Sequence, residues 1–439
     1  MLEMITKTLW GSIMLPAMMI LGFILLYRLQ GGFVYRWKPI FRNTLGSSSG
    51  VGGVSPFSAL CTALAGSIGV GNTVGVAAAL IAGGPGALFW MWVAGIFGMG
   101  IKYAEVYLSV RYRNDRVGGG PMDLVMFALG LPAPAVVLGG VFILSSFGMG
   151  NLCQSGTAAI SLGEAFGASP FLFSLILGAL LLYVLWGGAK SVTTFTTLAI
   201  PVFSLLYCLF CLSLIVFHLS GLPQALERIF EGAWGIKEIG GGFSAALLSR
   251  ATRTGFSRGL FSNEAGMGST PLAYGMSEER NPEKAGMWGI LEVCIDTLLI
   301  CTLTGLALLV SGVAPPETGA AWTMEVFGMA GKGGEWFLAV SIGFFAFASM
   351  TAWGCYGQQA ILWLGGNEKE KKAYICLFCL VSLWGAYGGE DNFFTISDVL
   401  NALVCLPNMV CLFLLSKEVS FPKAAKNQGK KQKTKPGRP

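Results

Sequence analysis

A cluster of three glycines interrupts one of the most apolar stretches of this chain. Residues 66–72 read Gly-Ser-Ile-Gly-Val-Gly-Asn within an apolar segment of about 58–82. Each glycine costs about 1 kcal/mol in a helix relative to alanine, and backbone groups freed inside a membrane must find other partners. Interrupted helices of this kind are typical of secondary transporters, where half-helix ends hold substrate and ion. The glycines could instead only permit close helix packing, so both interpretations stay open at this point.

The composition indicates a polytopic membrane protein. Hydrophobic residues make up 54% and charged residues 12% of the 439 residues, and the mean hydropathy is +0.66. Soluble proteins carry about 25% charged residues. The apolar stretch 13–26 runs directly into Tyr27-Arg28 without a small-residue cleavage site, which argues against a secretory signal. The single histidine, His218, and the apolar surroundings of the Cys-x-x-Cys pairs favour buried thiols over a zinc site or a disulfide.

Eleven hydrophobic segments reach or approach the length of about 20 residues that a spanning helix needs. They are approximately 11–28, 57–82, 85–111, 134–162, 170–187, 192–219, 243–270, 285–312, 334–363, 373–388 and 394–416. The seventh contains Arg250, Arg253, Arg258 and Glu264 and is included because its glycine spacing and length predict a second interrupted helix. Its break is predicted within Thr254–Phe261.

Charge asymmetry predicts the orientation. With eleven spans, one set of loops together with the carboxyl tail carries 21 Lys and Arg residues, and the opposite set carries four. The positive-inside rule then places the amino terminus outside and the carboxyl terminus in the cytoplasm of a multi-pass plasma-membrane protein. The basic tail is interpreted as a topology anchor attracted to anionic headgroups and not as a nucleic-acid site.

The two interrupted segments predict internal symmetry. If the first helix is peripheral, the second and seventh segments each begin a set of five helices, which is the arrangement that points to a transport site. The predicted division is a peripheral transmembrane helix with a basic cytoplasmic loop at 1–56, a first five-helix repeat at 57–219, an extracellular connection at 220–242, a second five-helix repeat at 243–416 and a disordered basic cytoplasmic tail at 417–439.

Five stretches together resemble the alanine or glycine:cation symporter family, also described as sodium:alanine symporters or amino acid carrier proteins. They are ALAGSIGVGNTVGVAAAL, GGPGALFWMWVAGIFGMGIKYAEVYLSVRYR, GNLCQSG, SRGLFSNEAGMGSTP and AWGCYG. The resemblance runs from about Pro56 to Gly357 and is weaker beyond. It implies an all-α protein of about eleven transmembrane helices, with a LeuT-type core of two inverted five-helix repeats and two interrupted helices. It also implies symport of a small neutral amino acid (alanine, glycine or serine) with sodium.

The first break provides groups suited to an amino-acid zwitterion. The peptide N–H groups of Gly69, Val70 and Gly71, at the start of a half-helix, would favour a carboxylate, and glycine allows close approach to the backbone. The resemblance implies that Gln154 faces the substrate, whereas the residues alone also allow an interhelical hydrogen bond. Gly156 stands where the family usually has Asn, which leaves the preferred substrate open.

Three aromatic residues are candidates for the wall of the substrate pocket. Phe256 and Phe261 lie in the seventh segment, where the resemblance favours an aromatic wall over the substrate. Trp353 matches the family tryptophan that lines the pocket. A large apolar wall would limit the size of the substrate side chain. Core packing or lipid contact is the alternative for each of the three.

The charged residues within the spans are costly and therefore candidate functional sites. Lys102 and Glu105 are three residues apart and can pair on one helix face, which suggests a structural role. Asp296 is deeper in its segment and has no obvious local partner. It could join arginines of the seventh segment and Glu264 in a buried ion network, or bind an ion or carry a proton.

The resemblance also implies a sodium site. In symporters of this fold the ion lies between backbone carbonyls of the first core helix, here Ala65 and Ile68, and hydroxyls of the eighth. The family tends to have Ser-Thr ahead of the pocket tryptophan, and this chain has Ala348-Ser349, so one hydroxyl is missing. Because sodium prefers about five or six oxygens, as hard cations do, we expect sodium coupling with a raised sodium requirement.

Other classes of function fit the sequence less well. A proton-coupled carrier on the same fold, with Asp296 or Glu264 titrating, is the main alternative. An intramembrane enzyme is disfavoured because the sequence offers no nucleophile–base constellation or metal-ligand cluster. A channel would need rings of carbonyls or charges along a continuous pore. No cofactor and no partner beyond substrate, ion and lipid is expected, and the oligomeric state stays open.

Overall fold

The computed structural model describes residues 7–44, 54–113, 119–234, 250–387 and 390–422. These residues are almost entirely helical, and the strand-like pairing among them is a single bridge between Val54 and Ser277. Part of the predicted connection, residues 235–242, and most of the predicted basic tail, residues 423–439, lie outside the described residues.

The main helices of the first half of the chain are α1 (Leu15–Arg28), α2 (Pro56–Ser67), α3 (Val74–Gly83), α4 (Gly86–Arg111), α5 (Pro132–Phe147), α6 (Cys153–Phe166), α7 (Pro170–Trp186), α8 (Gly188–Phe217) and α9 (Leu222–Trp234). Those of the second half are α10 (Arg250–Asn263), α11 (Thr270–Gly275), α12 (Pro282–Val293), α13 (Thr302–Val310), α14 (Gly319–Gly328), α15 (Lys332–Trp363), α16 (Glu368–Trp384) and α17 (Glu390–Leu415). Shorter helices are Gly32–Tyr35, Trp37–Asn43 and Pro121–Asp123, and π-helical turns Lys7–Met14, Gly148–Leu152 and Cys294–Cys301 extend α1 and join α5 to α6 and α12 to α13.

The helices match the predicted spans. Each of the eleven hydrophobic segments contains helix within the described residues, and seven continuous helical stretches are long and apolar enough to cross a membrane. Four of the eleven segments are absent from those seven. The second and seventh are each divided into two short helices, α2 with α3 and α10 with α11, and the helices of the fifth and tenth, α7 and α16, have 17 residues each. The prediction of a polytopic helical protein with two interrupted helices is confirmed.

The first interruption lies where the glycine cluster predicts it. α2 begins at Pro56, with the Ser55 hydroxyl accepting a hydrogen bond from the Ser58 N–H at 3.1 Å, as expected for a capping serine followed by proline. The helix ends at Ser67. Ile68 and Gly69 are extended, and a single 3₁₀ turn, Val70–Asn72, leads into α3.

The predicted position of the second interruption is wrong. Residues 254–261 are helical, and the break lies at 264–269, between α10 and α11. Gly266 and Gly268 have φ of +88° and +78°, a conformation that glycine adopts without the cost of a Cβ atom. Gly259, in contrast, is a packing residue, since a Cβ there would lie 2.7 Å from the Cβ of Ala94 on α4. The glycines of α10 therefore serve close helix packing.

Candidate functional site

A cavity of about 180 Å³ lies beside the break between α2 and α3. Its walls come from α2, α3, the α5–α6 junction, α10 and the start of α17. The lining residues are Gly66, Ser67, Gly69, Val70, Gly71, Val74, Gly75, Ala78, Met149, Cys153, Gln154, Arg258, Phe261, Ser262, Ser397 and Asp398. Five of the seven predicted substrate residues are in this set, namely Gly69, Val70, Gly71, Gln154 and Phe261.

The peptide groups of the first break are already partly used by the protein. The Gly69 N–H donates to Asn72 Oδ1 at 3.1 Å, and the Val70 N–H donates to Gln154 Oε1 at 3.3 Å. A Cβ on Gly69 would lie 2.9 Å from that same Gln154 oxygen, so the close approach requires glycine. At Gly71, nothing lies within 4 Å of the position of a Cβ. The backbone at Gly71 thus borders open space in the cavity.

Gln154 forms the interhelical contact that the sequence allowed, a hydrogen bond to Val70, and it also borders the cavity. Phe261 lines the cavity as well, with the ring of Trp10 packed edge-on at 6.4 Å between centroids. The Arg258 guanidinium lies 5.7 Å from the centre of the Phe261 ring, within the range of a cation–π contact.

Two of the predicted pocket aromatics do not line this cavity. Phe256 is fully buried and packs edge-to-face on Phe97 of α4, with ring centroids 5.8 Å apart. Trp353 is also fully buried; it stacks on Phe142 at 5.6 Å, and its Nε1 donates to Glu264 Oε1 at 3.1 Å. In this conformation both serve packing, which is the alternative that the sequence had left open for them.

The cavity carries two charged side chains that the sequence analysis did not assign to substrate. Arg258 and Asp398 both line it, on α10 and α17. The Trp10 Nε1 donates to the Asp398 backbone carbonyl at 2.9 Å, so the π-helical start of the first span reaches the same region. A charge inside a predicted span was the signal available for Asp398. The sequence did not indicate that Asp398 would line the same cavity as Arg258 of α10.

The predicted sodium ligands lie at the carbonyl end of α2. The buried Ser349 hydroxyl on α15 donates to the Gly66 carbonyl oxygen at 3.1 Å, and Ala65 and Ile68 lie one residue before and two after this carbonyl. The carboxyl end of a helix carries partial negative charge that favours a cation. The Thr351 hydroxyl is directed to its own helix, where it donates to the Phe347 carbonyl at 2.8 Å, and not to the carbonyl end of α2.

Asp296 has partners that the sequence did not reveal. Its Oδ1 accepts from Asn72 Nδ2 at 2.7 Å, and its Oδ2 accepts from the hydroxyls of Ser262 and Thr297, each at 2.8 Å. Asn72 belongs to the first break and Ser262 to α10, so Asp296 connects both interrupted helices. These donors are neutral, so the hydrogen bonds of Asp296 come from amide and hydroxyl groups and not from the arginines considered as possible partners.

The expected pairing of Lys102 with Glu105 is wrong. The Lys102 ammonium is instead 3.0 Å from Glu292 Oε1 on α12, because α12 packs directly on α4. Glu105 accepts from the Gly268 N–H at 2.9 Å and from Asn408 Nδ2 at 2.6 Å. Among the residues that the structure describes, no group of three or more His, Cys, Asp or Glu side chains is arranged to hold a metal ion.

Comparisons with known proteins agree with the resemblance. A family profile described as the sodium:alanine symporter family, a family of transporters, matches residues 1–437. The chain is 34% identical to the sodium/alanine symporter AgcS of Methanococcus maripaludis, over 97% of this chain and 96% of that protein. It is 30% identical to the amino-acid carrier protein AlsT of Bacillus subtilis (90% and 86%) and 28% identical to the putative sodium/proton-dependent alanine carrier protein YrbD of the same organism (94% and 89%).

The fold resembles that of a solved structure. The crystal structure of MhsT in complex with L-phenylalanine matches with a TM-score of 0.59 at 15% identity, over 84% of this chain and 90% of that one. This similarity confirms the predicted LeuT-type fold.

Proposed function

We propose, starting from the fact that this chain belongs to the sodium:alanine symporter family, that it imports alanine, or a similarly small neutral amino acid, together with sodium by alternating access. The observation that carries the proposal is the cavity at the first helix break. It combines exposed backbone at Gly71 with one basic and one acidic side chain, Arg258 and Asp398. Those are the complementary groups that a zwitterion needs.

The charges assign an orientation to the bound amino acid. An arginine guanidinium matches a carboxylate with two parallel donors, so Arg258 would attract the substrate carboxylate together with the start of the α3 half-helix. Asp398 would accept hydrogen bonds from the ammonium group. Gln154 on α6, which donates as well as accepts, would contact either group.

The volume of the cavity favours a small substrate. Pockets for drug-sized ligands measure roughly 300–1,000 Å³, whereas this cavity measures about 180 Å³. Phe261 and Met149 form part of its apolar wall. Alanine, glycine and serine suit such a space, and the names of the relatives AgcS and YrbD, a sodium/alanine symporter and a putative alanine carrier, support alanine among these.

For the coupling ion we favour sodium, held by the carbonyls of Ala65 and Ile68 with the Ser349 hydroxyl. The support is the position of that hydroxyl at the carbonyl end of α2. Proton coupling through Asp296 or Glu264 is the alternative. It is supported by the complete burial of both carboxyls and by the relative YrbD, which is named as a putative sodium/proton-dependent carrier.

Uptake into proteoliposomes tests the function as a whole. We expect an inward sodium gradient to drive accumulation of labelled alanine, and unlabelled glycine and serine to compete with it. Labelled alanine should also exchange for unlabelled alanine without any gradient. A carrier with bound substrate can change conformation in both directions, so it carries one alanine in and another out. Alanine flux without such exchange would indicate a channel and contradict the proposal.

The orientation in the membrane is a separate prediction. The imbalance of 21 to four Lys and Arg residues predicts that a cysteine introduced near Lys7 reacts with an impermeant reagent in intact cells, and that one near Lys426 reacts only after lysis. The parent should lack Cys376, which is an exposed native thiol. The reverse labelling pattern would contradict the eleven-span topology. With the predicted orientation, the loop after α3 is outside.

Substitution of Asp398 tests its contact with the ammonium group. Hydrogen bonds to charged groups contribute about 1.5–3 kcal/mol, so Asp398→Asn is expected to raise the KM for alanine roughly tenfold to a hundredfold. Glu325→Asn, which removes an acidic residue that does not line this cavity, serves as the control and should leave KM unchanged. An unaltered KM in Asp398→Asn would show that this carboxylate does not contact the substrate.

A further inference from the structure

Four buried charged side chains surround the break in the second interrupted helix, away from the substrate cavity. They are Lys102 and Glu105 on α4, Glu264 at the break and Glu292 on α12, and each is at most 1% exposed. All three carboxyls lie within electrostatic range of the single ammonium. A buried carboxylate without a counter-charge costs several kcal/mol. The excess of acidic groups therefore calls for a further positive charge.

Two of the three carboxyls have evident partners. Glu292 is paired with Lys102, whose Nζ lies 3.0 Å from Glu292 Oε1. Glu264 has a donor on each oxygen, since the Trp353 Nε1 donates to Oε1 at 3.1 Å and the Ser269 hydroxyl donates to Oε2. An ion pair in the first case and two donors in the second suit the carboxylate form.

Glu292 Oε2 also has no hydrogen-bond partner among the described residues, but Glu292 has the ion pair with Lys102. Glu105 has neither an ion pair among the described residues nor a donor on each oxygen. Its Oε1 accepts two hydrogen bonds, from the Gly268 N–H and from Asn408 Nδ2, while its Oε2 has no partner among the described residues. The orientation of the Asn408 amide is fixed, because Nδ2 also donates to the Gly266 carbonyl at 2.9 Å. That orientation leaves Asn408 Oδ1 as a second buried acceptor without a donor. Glu105 Oε2 and Asn408 Oδ1 thus belong to one carboxyl–amide pair, and each of them lacks a hydrogen-bond donor.

We propose that Glu105 binds one proton, carried on Oε2 and donated to Asn408 Oδ1. A protonated carboxyl is a donor as well as an acceptor, so the pair gains one hydrogen bond, from Glu105 Oε2 to Asn408 Oδ1, which runs opposite to the existing bond from Asn408 Nδ2 to Glu105 Oε1. One hydrogen taken up from water satisfies both orphan atoms and removes one buried negative charge. A metal cation fits less well, because the ammonium of Lys102 lies one helical turn away and the described residues contain no acidic cluster arranged for a metal.

The bound proton stabilises the docked position of the second break. Glu105 and Asn408 together hold Gly266 and Gly268 between α4 and α17. Loss of the proton leaves an ionised carboxylate with an unpaired oxygen, so this conformation is favoured at low pH and loses stability as pH rises. The titratable groups that face the site are Lys102 on its own helix, Glu264 in the break, Glu292 on α12 and Cys405 on α17.

Infrared spectroscopy of the purified full-length protein tests the site directly. A protonated carboxyl has a C=O stretching band that is separate from the carboxylate bands. We expect one such band in the wild type, its loss in Glu105→Gln, and its retention in Glu264→Gln as the matched control. The measurement requires no transport, so its outcome is independent of the proposed substrate and coupling ion.

A second variant keeps the test decisive if Glu105→Gln cannot be purified. Asn408→Ala retains the glutamate but removes the acceptor of its proton, and it is expected to move the band to higher wavenumber. The proposal is overturned if the band persists in Glu105→Gln, if it is lost instead in Glu264→Gln, or if Asn408→Ala leaves its position unchanged.

Discussion

Replacement of Gly71 by leucine is expected to abolish alanine uptake while leaving the protein folded and inserted. Gly71 lines the cavity, its φ is not in the left-handed region, and nothing lies within 4 Å of the position of its Cβ. The leucine side chain can therefore be accommodated without a clash, but it projects into the space that the substrate carboxylate needs. The measurement is initial uptake of labelled alanine into proteoliposomes, together with the size-exclusion profile of the purified variant.

The matched control for this prediction is Gly140→Leu. Gly140 is in α5, outside the cavity lining, and nothing lies within 4 Å of its Cβ position either. It presents the same change in a membrane helix without filling the cavity, so uptake should stay near wild type. Unchanged uptake kinetics in Gly71→Leu would show that the first helix break is not the substrate site.

Replacement of Ser349 by alanine is expected to remove sodium-driven uptake over the range of sodium concentration in which the wild type transports. The Ser349 hydroxyl is the side-chain oxygen at the carbonyl end of α2, 3.1 Å from the Gly66 oxygen. Because Ala348 lacks a hydroxyl, Ser349 is the one side-chain oxygen of the proposed site, and its removal leaves only backbone carbonyls as protein ligands. Removing an interaction with a charged ligand costs about 1.5–3 kcal/mol, or roughly a tenfold to hundredfold loss of affinity. The readout is uptake as a function of sodium concentration.

Two variants on the same helix act as controls. Thr351→Ala removes a buried hydroxyl that is bonded to its own helix, so the sodium dependence should be retained. Ala348→Ser restores the missing oxygen and is expected to lower the sodium concentration needed for half-maximal uptake. If uptake is indifferent to sodium, driven by a pH gradient and unaltered in Ser349→Ala, the proton-coupled alternative is favoured.

The sequence was sufficient to predict the membrane class, the spans and the first break. Hydropathy over about 20 residues depends on local composition alone, since lipid contact applies to each helix separately. The Gly66–Asn72 cluster was a strong signal because three glycines within six residues weaken a helix. Gly71 in particular borders open space. Hydropathy and the glycine cluster are properties of consecutive residues, and they do not depend on which helices become neighbours.

The second break shows the limit of the same reasoning. Gly255 and Gly259 lie in α10 and pack against α4, whereas Gly266 and Gly268 adopt positive φ at the actual interruption. A glycine that permits close packing and one that permits a left-handed backbone are the same letter in the sequence. Only the position of α4 distinguishes them, because it determines which glycines have a neighbour against their missing Cβ.

Contacts between distant segments were likewise decided by the tertiary structure. The sequence indicated which residues are charged or aromatic. It did not indicate that Asp296 accepts hydrogen bonds from Asn72 and Ser262, or that Lys102 pairs with Glu292 and not with Glu105. Helix spacing of three or four residues predicts only pairs on one helix. Buried polar groups must be satisfied by whichever donors the packing brings within reach, and in this protein those donors come from segments up to a few hundred residues away in the chain.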